Sequence, residues 1–462
     1  MIPPVVVLGG GLAGIAAAIR VVEAGRPVTL VESRKKLGGR ATSFVDPRSG
    51  EVLDNCQHVL MGSCTNLIDL YERLGVLANI EWHKRIWWAN PPHEPDLMSP
   101  GVLPAPAHFS WSFLRMKFLT GADKRGIARA MWKLVRMGRE GRAQWRGRSF
   151  GEFLDAHTQT RAARACFWDP IVTSACNVSC DHVDAFYAMY VFQQGFLQDS
   201  WSPVMGLSSV PLISLYDSAE GILGARGGKL RTGVSALGIG FDGRRVTGVV
   251  TDEGLIEASA VISALPPDRL AKLCSQSLRS ADGRLSQLEA FEYSPILGVH
   301  LFFDQPVMQL PHLVLPGRAT HWLFAKGLDK DGRFHLHAVI SAATEWMELS
   351  EEEIVQRVMH DMHWALPESR GIKPVAARTV KEKRATFACS PGVDRLRPSA
   401  MRDGVRGGVD NLFLAGDWCA TGWPATMEGA VRSGYAAANA LVGSGELVPD
   451  VPPSWLARAL GL

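Results

Sequence analysis

Apolar residues first fall into an unbroken run, Val5-Val6-Val7-Leu8, as a parallel strand buried on both faces requires. A glycine-rich turn follows. Residues 13–24 are Ala-rich with helical spacing, stopped by Gly25, and 27–32 is a second strand. This is a βαβ beginning. Short strands are predicted at 229–231, 234–239, 245–251 and 255–263, punctuated by Gly227-Gly228, Asp242-Gly243 and Gly254. Further strands are expected at 294–304 and 334–342. A helix is expected over 350–366, with Ser350 as cap and Glu353 at the capping-box position. The last strand is 411–414, the last main helix 427–441, and the Pro-rich tail beyond 444 reads as loosely held.

Two stretches break this rhythm. Pro91, Pro92, Pro95, Pro100, Pro104 and Pro106 make the region after Trp87-Trp88 read as a loop. Residues 108–148 then turn helical and basic, and between Arg115 and Arg148 stand eleven Lys/Arg against two acids, Asp123 and Glu140. Apolar and aromatic residues are interleaved with them, so the stretch is either a solvated helical face or a patch for an anionic membrane surface. Helices are expected to continue to 215.

Composition narrows the class. The chain has 462 residues, 47% apolar and 21% charged, which indicates a globular body of two or more lobes and not a disordered chain. A net charge of +3 gives no support to nucleic-acid binding. The eight cysteines form no CxxC pair, so neither a zinc site nor a dithiol motif is read, and no metal is expected. No signal peptide or membrane span is recognised, and a cytoplasmic location is expected.

The chemistry begins at Gly9-Gly10-Gly11-Leu12-Ala13-Gly14, a GxGxxG turn between strand and helix. Gly9 permits the tight turn, Gly11 lets backbone approach a pyrophosphate, and Gly14 lets helix and strand pack closely. The helix start at Leu12 and Ala13 offers unpaired N–H groups and a positive dipole end. Glu32, eighteen residues after Gly14 and followed by Ser33, can bind both ribose hydroxyls. Gly38-Gly39-Arg40 adds a close-approach turn and a phosphate-pairing guanidinium. Near the far end, 411–414 runs into Ala415-Gly416-Asp417, and Met427-Glu428-Gly429-Ala430 opens a helix whose N–H groups could meet the edge of a flavin. Motifs at both ends of the chain that converge on one elongated dinucleotide point to FAD.

These motifs resemble the flavin-dependent amine oxidase and phytoene desaturase superfamily. Three blocks are similar to hydroxysqualene dehydroxylases, the squalene-associated FAD enzymes of bacterial hopanoid pathways. They are Asp54-Asn55-Cys56-Gln57-His58-Val59-Leu60-Met61-Gly62, Lys381-Glu382-Lys383-Arg384-Ala385-Thr386-Phe387-Ala388, and Leu414 to Gly434, which includes Trp418 and Trp423. The resemblance runs to about residue 442. One departure is Cys56, where the family usually has Gly. The resemblance implies FAD contacts at Gly9, Gly11, Gly14, Glu32, Arg40, Asp417 and the Val234 backbone. It also implies a reaction, in which hydroxysqualene loses its hydroxyl and reduced flavin delivers hydride to the allylic cation, giving squalene and water. In polyamine-oxidase-like relatives a lysine near flavin N5 falls around Gly298, and its absence argues against amine oxidation.

Protonating the departing oxygen would need an acid, and the wall should otherwise be apolar and dry. Asp54, His58, Lys381 and Arg384 are the polar candidates, with loop-holding hydrogen bonds as the alternative role. Lys381 and Arg384, three apart, should face opposite sides of a strand. The expected fold is α/β. A discontinuous Rossmann-like FAD domain (1–85, 215–275, 400–445) would carry an inserted α+β substrate or membrane-facing domain (86–214, 276–399) and a tail (446–462). An oxidative desaturase or isomerase of another polyisoprenoid is the alternative activity, and a non-catalytic flavin-holding membrane partner the alternative class. The electron donor is not legible.

Overall fold

The computed structural model describes residues 3–401 and 407–462. The first two residues and 402–406, which fall inside the predicted FAD segments, lie outside the described residues.

A five-stranded parallel sheet forms the first layer, in the order Lys229–Thr232, Val28–Glu32, Val5–Leu8, Ala260–Ser263, Leu412–Leu414. Val5, Val6 and Val7 at its centre are wholly buried, as the apolar run requires. Helix Leu12–Glu23 covers this sheet and packs on helix Met427–Val442. Gly434 permits that contact, because a Cβ there would stand 2.2 Å from the Ala13 carbonyl oxygen. The two ends of the chain thus meet through one sheet and one helix pair.

The second layer is a seven-stranded mixed sheet. Its order is Ala376–Phe387, Tyr293–Phe303, Phe334–Ile340, Trp322–Leu328, His312–Val314, Ile86–Asn90, His93–Met98. Its back face presents Leu297, Val299, Leu301, Leu323, Leu336 and Ala338 to Ile354, Val358 and Met362 of helix Glu351–Ala365. Ser350 and Glu353 form the predicted capping box of that helix. The front face carries Gly298, His300, His337, Phe324 and Val339, which the register places side by side.

Four local expectations are corrected. The Pro-rich stretch is not a loop throughout, since Ile86–Asn90 and His93–Met98 pair antiparallel across a Pro91-Pro92 turn at the sheet edge, where prolines are tolerated. Residues 255–263 are two strands: Gly254–Glu257 joins a small antiparallel sheet, and Ala260–Ser263 enters the parallel sheet. The basic helix Gly121–Ala143 is broken at Gly138 (φ +59°), and its Ile127, Leu134 and Val135 are core residues. The tail is held, with Val448 N–H bonded to Asn66, Arg432 paired with Asp450, and Ser454 N–H bonded to the Gln198 carbonyl. It ends in helix Trp455–Leu460. No helix among the described residues is long and apolar enough to cross a membrane.

Candidate functional site

The turn after Val5–Leu8 is shaped by contacts that tolerate no side chain. A Cβ on Gly14 would lie 1.8 Å from the Gly9 carbonyl oxygen, and Gly9 itself has φ +101°. Gly11 differs, because its Cβ would meet only the Gly39 Cα at 3.8 Å. Gly11 and Gly38 are bridged, and the Gly38 N–H donates to the Gly10 carbonyl. The two glycine segments therefore leave an open cradle in front of the helix start at Leu12 and Ala13, where first-turn N–H groups have no partner inside the helix. Glu32 closes one side. Its Oε2 accepts from Gly10 N–H at 2.6 Å and its Oε1 from Arg34 N–H at 2.8 Å, with Ser33 Oγ at 3.3 Å. The Val234 N–H is donated to the Glu32 carbonyl at 3.1 Å, which leaves the Val234 carbonyl as the backbone group for the adenine contact that the resemblance implied.

Arg40 closes the other side. Its Nη2 meets Asp417 Oδ1 at 2.5 Å and its Nη1 donates to the Ala385 carbonyl at 2.8 Å. Burial by itself would lower the Arg40 pKa, but the neighbouring Asp417 carboxylate outweighs it and the pKa is raised. Gly416, at φ +135°, turns the chain there, and its N–H goes to Ser433 Oγ. At the start of helix Met427–Val442, Met427 and Glu428 present first-turn N–H groups. Ala430 does not contribute as predicted, since its N–H is donated to the Thr426 carbonyl. The Glu428 carboxylate is turned away and wholly buried. It accepts from Asn66 and Leu67 N–H and from Arg432 Nε, capping the helix Thr65–Arg73. A cradle without side chains, a helix start, an acid at the strand end and the Arg40–Asp417 pair fit a dinucleotide laid across the sheet.

Residues 54–58 link this cradle to the front face of the seven-stranded sheet. The Asn55 side-chain amide bonds the Arg40 carbonyl on one side. On the other, Asn55 O and Cys56 Cα lie 3.2 and 3.7 Å from where a Gly298 Cβ would stand. Gly298 is needed for this approach and for His337, whose Nε2 is 2.9 Å from the same point. Cys56 packs on Phe324 and Val339, and burial raises its thiol to about 12. Asp54 anchors the loop, accepting from Ser43 Oγ at 2.7 Å and Leu212 N–H at 3.0 Å. Its Oδ2 is 3.5 Å from Lys326 Nζ, which donates to Gln57 Oε1 at 3.0 Å.

Three histidines underlie the loop. His300 Nε2 donates to the Asp54 carbonyl at 3.0 Å, which leaves its Nδ1 to accept from His335 Nε2 at 2.9 Å. His337 stacks on His300 with 4.0 Å between centroids, and neither of its ring nitrogens has a partner. Burial lowers His300 to about 4 and His335 to about 3, and it holds His337 well below the ordinary imidazole value. These imidazoles are neutral at pH 7.

The four polar candidates do not share one place. His58 Nδ1 donates to the Cys56 carbonyl, and burial lowers its pKa, so it presents an acceptor and is a poor acid. Lys381 is corrected. It pairs in register with Leu297 and so lies on the back face, where its ammonium binds the Met347 and Leu349 carbonyls at 2.8 and 2.5 Å. Arg384 is corrected too: it lies in a bulge, half-exposed, 2.9 Å from Asp268 and 4.0 Å over the Tyr293 ring. The neighbour Glu382, opposite Ile296, takes the front face instead. Trp418 is a core residue bonded to the Leu265 carbonyl, and Trp423 packs against Tyr190. Sequence reasoning missed Gln57, Lys326, His300, His335, His337 and Glu382. The His-x-His spacing at 335 and 337 inside a predicted strand was the available signal.

With this geometry in place, the comparisons agree with it. Residues 12–442 match the model of the flavin containing amine oxidoreductases, and the chain belongs to that family. It is 26% identical over 470 residues to a 15-cis-phytoene desaturase of Synechococcus elongatus, covering 95% of each chain. It is 26% identical over 491 residues to a zeta-carotene desaturase of Capsicum annuum, covering 96% of this chain and 81% of that one. Among solved structures it resembles an oxidoreductase from Methanosarcina mazei, with TM-score 0.72, 19% identity, and 93% and 98% coverage. It also resembles putrescine oxidase bound to putrescine, with TM-score 0.72, 18% identity, and 96% and 99% coverage. The chain is an FAD-dependent oxidoreductase with the α/β fold of this family.

Proposed function

We propose that this enzyme removes the hydroxyl of hydroxysqualene, releasing squalene and water, at the inner face of the cytoplasmic membrane. The observation that carries the reading is the front face at Gly298. In place of a lysine, Gly298 and the neutral His300 and His337 support the 54–58 loop that roofs them, and the partly buried Ile296 and Trp322 line the face beside it. Such a wall suits a hydrocarbon and protects an allylic cation from water. Phytoene and zeta-carotene, in the names of the relatives, are likewise polyisoprenoids.

Bound FAD, when reduced, supplies the hydride for the new C–H bond. The chain supplies the rest. The allylic C–O bond breaks, the hydroxyl takes a proton and leaves as water, and the reading assigns that proton to the Lys326 ammonium. Gln57 and Asp54 hold Lys326 at the loop, and Asp54 is a positioning residue. The 54–58 segment, fixed to Arg40 and to the sheet, sets the distance between cradle and wall.

The test is anaerobic. The purified protein is reduced with dithionite, freed of excess and given hydroxysqualene, while flavin absorbance and product mass are followed. Reoxidation with stoichiometric squalene is expected. A second reading, oxidative desaturation of another polyisoprenoid, is favoured by the names of the relatives. Failure of the reduced enzyme to reoxidise, with its FAD in place, transfers the assignment to that reading.

A further inference from the structure

Five large apolar side chains stand in solvent on three segments that hydrogen bonds tie together. Val102 and Leu103 are 102% and 53% exposed, Trp111 and Leu114 are 66% and 60%, and Trp455 is 71%. The segments are tied together. Gly101 N–H donates to the His108 carbonyl, Ser112 Oγ to the Ser99 carbonyl, and Ser454 Oγ to the Ala105 carbonyl. The last of these sets the start of helix Trp455–Leu460 against the 101–108 loop. The same helix is bound to the basic helix by Arg136, which reaches the Leu460 carbonyl. Trp111 and Leu114, three apart on the short helix Ser110–Arg115, share one face. A patch of this kind is not the ordinary scatter of single surface hydrophobes.

Cations predominate around it: Asp96, which accepts from Lys117 N–H, is buried, and Asp199 stands near His108. Arg115 lies over the Trp111 ring at 4.9 Å, and Lys124 donates to the Leu114 carbonyl. Among the described residues, Arg115, Lys117, Lys124, Arg125, Arg129 and Lys133 have no acidic partner within 4 Å. The nearby acid of the basic helix, Asp123, is buried and faces Thr120 and Thr160. By contrast Arg142, Arg146 and Arg148, farther along, are engaged with Gln193, Asp394 and Glu152. Arg115 and Lys124, neither of them paired with an acid, are therefore the cations set directly against the apolar tip.

We infer that Val102, Leu103, Trp111, Leu114 and Trp455 form a tip that enters an anionic phospholipid bilayer, with the cations of 115–133 on the headgroups. The basic helix is not itself the inserted element, because its apolar side is committed to the core. The C-terminal helix, with no part in the cofactor site, acts as part of the anchor. Charge complementarity selects the occupant: a second copy of this chain would bring the same cations face to face, whereas anionic headgroups neutralise them. The inference deepens the membrane location proposed above, but its test needs no turnover, so the two can fail separately.

The test uses the FAD-loaded enzyme and vesicles of phosphatidylcholine, with and without a quarter phosphatidylglycerol. Flotation is expected with the anionic vesicles, to fall at least tenfold without phosphatidylglycerol or in 0.5 M salt. Val102→Ser/Trp111→Ser/Leu114→Ser and, separately, Trp455→Ser should each weaken binding about tenfold with flavin content unchanged. Leu255→Ser, an exposed residue of the small antiparallel sheet, should bind as wild type. Absence of wild-type binding, or equal binding by all variants, overturns the inference. So does a dimer in sedimentation that the triple variant dissolves, since the tip would then be a protein interface.

Discussion

Arg40 and Asp417, 377 residues apart in the chain, meet at 2.5 Å across the mouth of the dinucleotide cradle. The pair joins the glycine turn of the first strands to the end of the last strand, and Arg40 also reaches the Ala385 carbonyl of the second sheet. One guanidinium therefore touches both ends of the cofactor layer and the edge of the seven-stranded sheet. Asp417→Ala should leave that guanidinium without its counter-charge. FAD retention is expected to weaken about thirtyfold, on the order of 2 kcal/mol for a charged hydrogen bond. The flavin-to-protein absorbance ratio after gel filtration checks this; a full complement in the variant would contradict it.

The glycines of the turn separate two kinds of damage. Gly14→Ala places a Cβ 1.8 Å from a backbone oxygen and should yield little folded protein. Gly11→Ala meets nothing closer than 3.8 Å and starts from an extended backbone, so the apoprotein should keep its melting temperature within a few degrees. Its methyl would project into the cradle. FAD affinity should drop at least tenfold, by titration of the apoprotein. If Gly11→Ala binds FAD normally, the cradle does not hold the pyrophosphate.

The first layer was legible because its signals are local: an apolar run, glycines at fixed offsets and an acid at a strand end. The front face was not. Whether Lys381 or Glu382 faces the loop depends on which strand pairs with which, and Lys381 shares the back with Leu297 through pairing with a strand some 80 residues away. The bulge between Glu382 and Thr386 also defeats simple alternation, so Arg384 ends beside Asp268. Val102 and Trp455 carry no local signal either, as exposure is a property of the folded surface.

Gly298 should resist any side chain. An alanine there puts a methyl 2.9 Å from His337 Nε2 and 3.2 Å from the Asn55 carbonyl oxygen. The loop or the imidazole must move, at about 1–3 kcal/mol. Gly298→Ala is expected to bind FAD, because the cradle is untouched, but to turn over at least tenfold more slowly. Unchanged turnover would show that the Asn55–His337 spacing does not matter to the site.

The buried histidines give stability a direction with pH. His300, His312 and His321 are each lowered to about 4 by burial, and His335 to about 3. The unfolded chain, near the ordinary 6.5, therefore binds protons that the folded chain refuses. Stability is complete above 6.5 and is lost as the pH falls from 6.5 toward 4. Melting temperature should drop between pH 7.5 and 5, with net proton uptake on unfolding at pH 5.5 by calorimetry in two buffers of different ionisation enthalpy. Proton release there would refute the neutral assignment.

Two lysines, one on each face of the same sheet, distinguish chemistry from support. Lys326 reaches Gln57 and Asp54 on the front; Lys381 binds two carbonyls on the back. Lys326→Met keeps an aliphatic stem and removes the proton. Reoxidation of the reduced enzyme by hydroxysqualene should slow at least a hundredfold, the scale of a lost general acid, with flavin content unchanged. Lys381→Met removes the ties to Met347 and Leu349 just ahead of helix Glu351–Ala365. It should lower stability by about 1–3 kcal/mol and leave reoxidation within twofold. Single-turnover traces and denaturant titrations of both variants decide the matter. If Lys381→Met abolishes turnover in a stable protein while Lys326→Met does not, the proton source is not on the front face.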